Sequence, residues 1–144
     1  MSNLLQLCGN VEIQAAAGTK PKFTMIAYSG GPMSPVGWPN VVIDLAGASI
    51  GGDIPILSGH ADSLDSIVGQ GQAAVQNHQL HLSVTITDAT SAGQKVVALA
   101  RSGISLQASV GFSPDRREHI SAGSKVSVNG RTLTAGSQGL TIIR

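Results

Sequence analysis

Residues 80–87 alternate without a break, with Leu80, Leu82, Val84 and Ile86 on one parity and His81, Ser83, Thr85 and Thr87 on the other. A repeat of two belongs to a strand with one face buried, whereas a helix face repeats every 3.6 residues or so. This segment therefore commits the chain to sheet. Other strand-like runs occupy 4–16, 22–28, 40–45, 54–57, 67–75 and 139–144. Between Lys125-Val126-Ser127-Val128 and Arg131-Thr132-Leu133-Thr134 stands Asn129-Gly130, the pair that a tight hairpin turn favours because both residues tolerate positive φ. Gln76-Asn77-His78-Gln79 reads as a second turn.

One segment carries a helical period. Ser91-Ala92-Gly93-Gln94 has the spacing of a capping box, Ala92, Val96, Leu99 and Ala100 make an apolar stripe, and Gly103 supplies a stop. Aromatic residues are only 3% of the chain and Gly is 18 of 144, so the core must be built of Val, Ile, Leu and Ala between many turns. These features predict a mainly β fold: a small, mostly antiparallel β-barrel with one or two packed helices. The length suits a single domain, 1–144, which buries about 68–70% of its unfolded surface. Residues 29–39 hold three prolines and three glycines and read as a Gly/Pro-rich loop barred from a central ladder, pinned by Trp38.

Composition also excludes partners. A net charge of +1 with 12% charged residues leaves no clustered basic surface for nucleic acid. No stretch approaches the roughly 18 apolar residues of a membrane span, and the N-terminus lacks a basic segment leading into an apolar run. Cys8 is the single cysteine, so no internal disulfide forms, in keeping with a reducing compartment.

Residues 104–112 carry the candidate chemistry. Ile104, Leu106, Ala108, Val110 and Phe112 share one parity, and Ser105, Gln107, Ser109 and Gly111 the other. Ser109 is the candidate nucleophile, with Gly111 beside it leaving room for a close approach. A serine hydroxyl needs a base about 2.6–3.2 Å away, and the candidate is His60, which follows the apolar run Ile54-Pro55-Ile56-Leu57 at a Ser-Gly break.

Together these pieces resemble the prohead (head maturation) proteases of tailed bacteriophages, which are similar in fold to the herpesvirus assemblins. The resemblance covers about residues 40–144 and rests on Ile56-Leu57-Ser58-Gly59-His60, Ile67-Val68-Gly69, the helix near 92–101, and Leu106-Gln107-Ala108-Ser109-Val110-Gly111-Phe112. It implies a serine endopeptidase with Ser109 as nucleophile and His60 as base, cleaving phage scaffold and major capsid proteins, and itself, within the assembling prohead in the bacterial host cytoplasm. A homo-oligomer is expected, and no cofactor. The alternative is a catalytically silent β-barrel acting as a scaffold or capsid-binding module.

The resemblance also implies an orienting acid on the strand after the hairpin, a strand taken to be truncated at Arg144. Within the chain, Asp62, Asp65, Glu118 and His119 are substitutes, and Arg116, Arg117 or backbone N–H groups near the serine are oxyanion donors. His60, His78, His81 and His119 match no zinc spacing, so no metal is expected.

Overall fold

The computed structural model describes residues 5–14, 20–35, 37, 40–50, 52–60, 63–112 and 114–144; for 5–14, 60 and 108–112 it describes backbone alone. Trp38, the expected pin of the Gly/Pro-rich loop, lies outside the described residues. The described chain is mainly β with one α-helix, arranged as three sheets.

The largest sheet has six strands. In chain order they are β1 (Leu5–Gln14), β2 (Lys22–Tyr28), β4 (Ile54–Leu57), β5 (Ile67–Gln76), β6 (Gln79–Ile86) and β7 (Leu106–Phe112), in the spatial order β4-β5-β6-β2-β1-β7. Every pairing in it is antiparallel. A three-stranded sheet holds β3 (Val41–Ile43), β8 (Arg117–Ile120) and β11 (Leu140–Ile143), and β9 (Lys125–Val128) pairs with β10 (Arg131–Thr134) as a separate hairpin.

The alternation of 80–87 has the predicted result. Leu82, Val84 and Ile86 are buried with Phe23, Met25, Ala27 and Val68 in one core. Their polar neighbours Ser83 and Thr85 lie outward beside Gln72 and Gln70 of β5. The helix α1 (Ser91–Arg101) packs on this core through Ala92, Val96 and Val97. Gly93 permits the close approach, since a Cβ there would collide with the Thr87 carbonyl. Leu99, expected in the buried stripe, is 38% exposed. A second correction concerns the cap: Thr90, not Ser91, caps α1, its Oγ1 accepting from the Gly93 N–H at 3.1 Å and donating to the Ile67 carbonyl.

Two further cores lie beneath the other sheets. Val41, Ile43, Leu45 and Ile143 gather around Tyr28, while Val42, Val128, Ala135, Leu140 and Ile142 form the third cluster.

The expected barrel is not closed. β4 and β7 are the two outer strands of the six-stranded sheet and are not hydrogen-bonded to each other. The physical reason lies partly in β4, where Pro55 lacks an N–H for a second ladder and a register shift interrupts the strand between Ile56 and Leu57. The last strand is fully paired. β11 is no free edge: it lies between β3, which it joins in parallel, and β8, which it joins antiparallel. β8 was hidden in the sequence because the charged run at 115–118 reads as loop, yet its backbone completes this sheet.

Candidate functional site

Ser109 lies in the middle of β7, directly across the ladder from Cys8 of β1. Seven consecutive pairs, from Leu5 opposite Phe112 to Val11 opposite Leu106, fix that register without a bulge. The chain enters β7 from α1 through Gly103, whose φ of 80° ends the helix. Ile104 is 53% exposed, not part of a buried face as the alternation implies, whereas Leu106 is half-buried. The Ser109 side chain lies outside the described residues.

His60 closes a 3-10 turn, Ser58–His60, that follows β4. Gly59 takes a φ of 63° inside it, a conformation that glycine adopts at no steric cost. The His60 side chain, like the whole of Asp62, is outside the described residues.

The registers relate the two positions. Glu12, Thr24, Ser83 and Gln72 form one straight row across β1, β2, β6 and β5. Gln72 extends it to Asp53 by a hydrogen bond of 2.8 Å from Nε2 to Oδ1. Cys8, the partner of Ser109, precedes Glu12 by four places on β1, toward the Tyr28 end of the sheet. His60 follows Asp53 by seven places, toward the opposite, Ile67 end. Ser109 and His60 therefore belong to opposite margins of one sheet and are staggered in opposite directions along its strands.

The substitutes for an orienting acid are dispersed. Asp65 sits in an exposed 3-10 turn, Leu64–Ser66. Glu118 is on β8, where its Oε2 meets the Arg144 guanidinium at 3.1 Å, and the same arginine reaches Asp44 at 3.6 Å. His119, also on β8, lies over Gly139. Arg116, one of the proposed oxyanion donors, exchanges backbone hydrogen bonds with Arg144, and Arg117 pairs with Ile143 in the three-stranded sheet. The structure thus places Glu118, His119 and Arg117 on β8 and Arg116 just before it, in a different sheet from Ser109. Asp44 caps the 3-10 turn Leu45–Gly47 by accepting from the Ala46 N–H at 3.1 Å.

The remaining histidines are apart. His78 lies in the β5–β6 turn, over Gly130, and His81 faces Ile26 and Ala74 across β6, its Nε2 buried without a hydrogen-bond partner. Among the described residues no three His, Cys, Asp or Glu side chains cluster as metal ligands, and no helix is long and apolar enough to cross a membrane. A cavity of about 360 Å³ on the outward face of β4, β5 and β6 is rimmed by Lys20, Asp53, Gln70, Thr85 and Thr87.

Two polar side chains that the sequence reading passed over hold the joint between the sheets. Tyr28 donates from its hydroxyl to the Gly31 carbonyl and accepts from the Ile43 N–H at 3.1 Å. Its burial raises the hydroxyl above the usual value of 10.0, while the Ile43 hydrogen bond and the Arg131 charge pull the other way. Asn129 bonds to three separate backbone groups. The only sequence signal was the turn propensity of Asn-Gly, which says nothing of where the side chain reaches.

Compared with known protein families, curated proteins and solved structures, the chain matches none.

Proposed function

We propose that the chain is a serine endopeptidase of the prohead type, which cleaves scaffold and capsid proteins, and itself, during phage head maturation. Ser109 attacks the scissile carbonyl while His60 accepts its proton and then gives it to the leaving amine. Water releases the acyl group by the same route.

The observation that carries this reading is the stagger between the two sheet margins. A sheet closes into a barrel only if its register slips as it goes round, and strand twist curls an open sheet in that sense. If β7 approached β4 with a slip as large as this stagger, the position of Ser109 on that edge would fall near the Ser58–His60 turn. Two residues remote in a flat sheet would then become neighbours across the seam. The resemblance of the Ser109 and His60 segments to the prohead proteases supports the same pairing.

A fluorophosphonate probe tests the proposal. Labelling of Ser109, located by peptide mass spectrometry and lost in His60→Ala, is the expected result. An unlabelled Ser109 in folded protein would falsify it.

The second reading is a silent module that binds scaffold or capsid protein. The observation favouring it is the open seam itself: Pro55 withholds a donor from any ladder between β4 and β7. Capsid-protein binding that persists in Ser109→Ala, with no labelling of the parent chain, selects this reading.

A further inference from the structure

Two hairpin turns and a loop meet at one side chain. Asn129 and Gly130 form the two-residue turn between β9 and β10 with φ of 51° and 71°, the left-handed pair that a type I′ turn requires. Asn129 Nδ2 donates to the Ile43 carbonyl at 2.6 Å and to the Gly30 carbonyl at 3.0 Å, and Oδ1 accepts from the Leu45 N–H at 2.9 Å. The other hairpin turn, Asn77-His78, also has positive φ at both residues, 51° and 59°. It presses on the same point. The His78 ring lies 2.7 Å from where a Cβ on Gly130 would stand, and the His78 carbonyl occupies the space that a Cβ on Gly30 would need.

Asn followed by Gly has a particular chemistry. With no Cβ on the second residue, its backbone nitrogen can reach the side-chain carbonyl carbon of the first. We propose that Asn129 is a site of spontaneous deamidation whose rate is set by the opening of this joint. The Gly130 nitrogen loses its proton and bonds to Cγ of Asn129; the Cγ–Nδ2 bond breaks and Nδ2 leaves as ammonia, giving a five-membered imide. Water then opens the imide at either carbonyl, yielding aspartate or its β-linked isomer, with nothing oxidised or reduced.

In the closed joint the reaction is held back. To turn Cγ toward its own backbone, the amide must rotate away from all three partners. Once reacted, it cannot return, because the Ile43 and Gly30 carbonyls then meet a carboxylate where they had an N–H donor, and like partial charges repel. A β-linked product also lengthens the turn by one backbone atom. The modification is thus a one-way record of time spent open.

The test follows the intact chain at neutral pH, folded and in urea, by the mass of the tryptic peptide 126–131. Three hydrogen bonds of ordinary net strength predict conversion about 10-fold to 1,000-fold slower in the folded protein. Asn77, in the same kind of turn but followed by His78, should stay intact meanwhile. Equal rates at Asn129 in both conditions, or no conversion in urea, overturn the proposal. Gly30→Ala, which forces the joint apart, should bring the folded-state rate toward the unfolded one. Should that variant not fold, His78→Asn keeps a residue tolerant of positive φ and removes the ring from Gly130. It should also accelerate conversion, and an unchanged rate in a folded variant means the joint does not govern the reaction.

Discussion

Ser109 stands directly across the β7–β1 ladder from Cys8. Facing residues of an antiparallel pair have Cα atoms about 4.5–5.5 Å apart, within the span a disulfide bridges. Ser109→Cys, oxidised mildly, should therefore form an internal disulfide between Cys8 and the introduced thiol, with loss of both free thiols in the monomer. Since Cys8 is the only native cysteine, the product is unambiguous. Two persistent thiols, with bridging achieved instead by Ala108→Cys or Val110→Cys, would show that the register is slipped by one.

The proposed chemistry makes a separate claim on the same residue. Ser109→Ala should lower cleavage of a scaffold-derived peptide about 1,000-fold or more, as in other enzymes that lose a nucleophile. Its melting temperature should stay near that of the parent. Retained cleavage removes Ser109 from the mechanism.

Thr90 both caps α1 and donates to β5, through Gly93 and Ile67 respectively. Removing a helix cap of this kind costs about 0.5–2 kcal/mol. Thr90→Ala should lower stability by at least that much in urea titration, whereas Ser91→Ala should change it little. The reverse order would restore Ser91 as the cap.

Tyr28 gives the stability curve an alkaline limb. Its hydroxyl is raised above 10.0 by burial, so the folded state holds the proton more tightly than the unfolded chain does. The corresponding stabilisation is complete below about pH 10 and is lost as pH rises through the folded value. Tyr28→Phe should flatten that limb. At neutral pH it should cost about 1–3 kcal/mol, because the Ile43 N–H and Gly31 carbonyl lose their partner. An alkaline limb unchanged in Tyr28→Phe would assign it to another group.

Local patterns were legible wherever one segment decides its own structure. The alternation at 80–87 gave β6, Asn129-Gly130 gave the β9–β10 turn, and the apolar spacing after Thr90 gave α1. What depends on distant partners was not. Arg117–Ile120 looks like part of a charged loop until Leu140–Ile143 lies beside it. Leu99 fits a helical stripe but is left exposed, while Val97 packs on the core. For the site, sequence placed Ser109 within a strand and His60 in the turn after another, as the backbone has them. It could not show that these strands lie at opposite margins of one sheet, since alternation specifies faces and says nothing of strand order. The role of Asn129 escaped for a related reason: its partners lie 84 to 99 residues away in the chain.

The parallel pairing of β3 with β11 has a consequence for how this chain acquires its shape. Val41 is matched with Thr141, and Ile43 with Ile143, so this seam of the sheet waits for residues synthesised long after its first strand. The β5–β6 hairpin, closed by a two-residue turn, has no such delay. Closing the longer loop is entropically costly, and contacts so separated in sequence form late. During synthesis at about 5–20 residues per second, β3 must spend several seconds exposing Val41, Val42 and Ile43 without their partner. Pulse-labelling hydrogen exchange during refolding should find the amides of β5 and β6 protected first and those of β3 and β11 last, which makes the newborn chain, not the finished protein, the stage most exposed to aggregation.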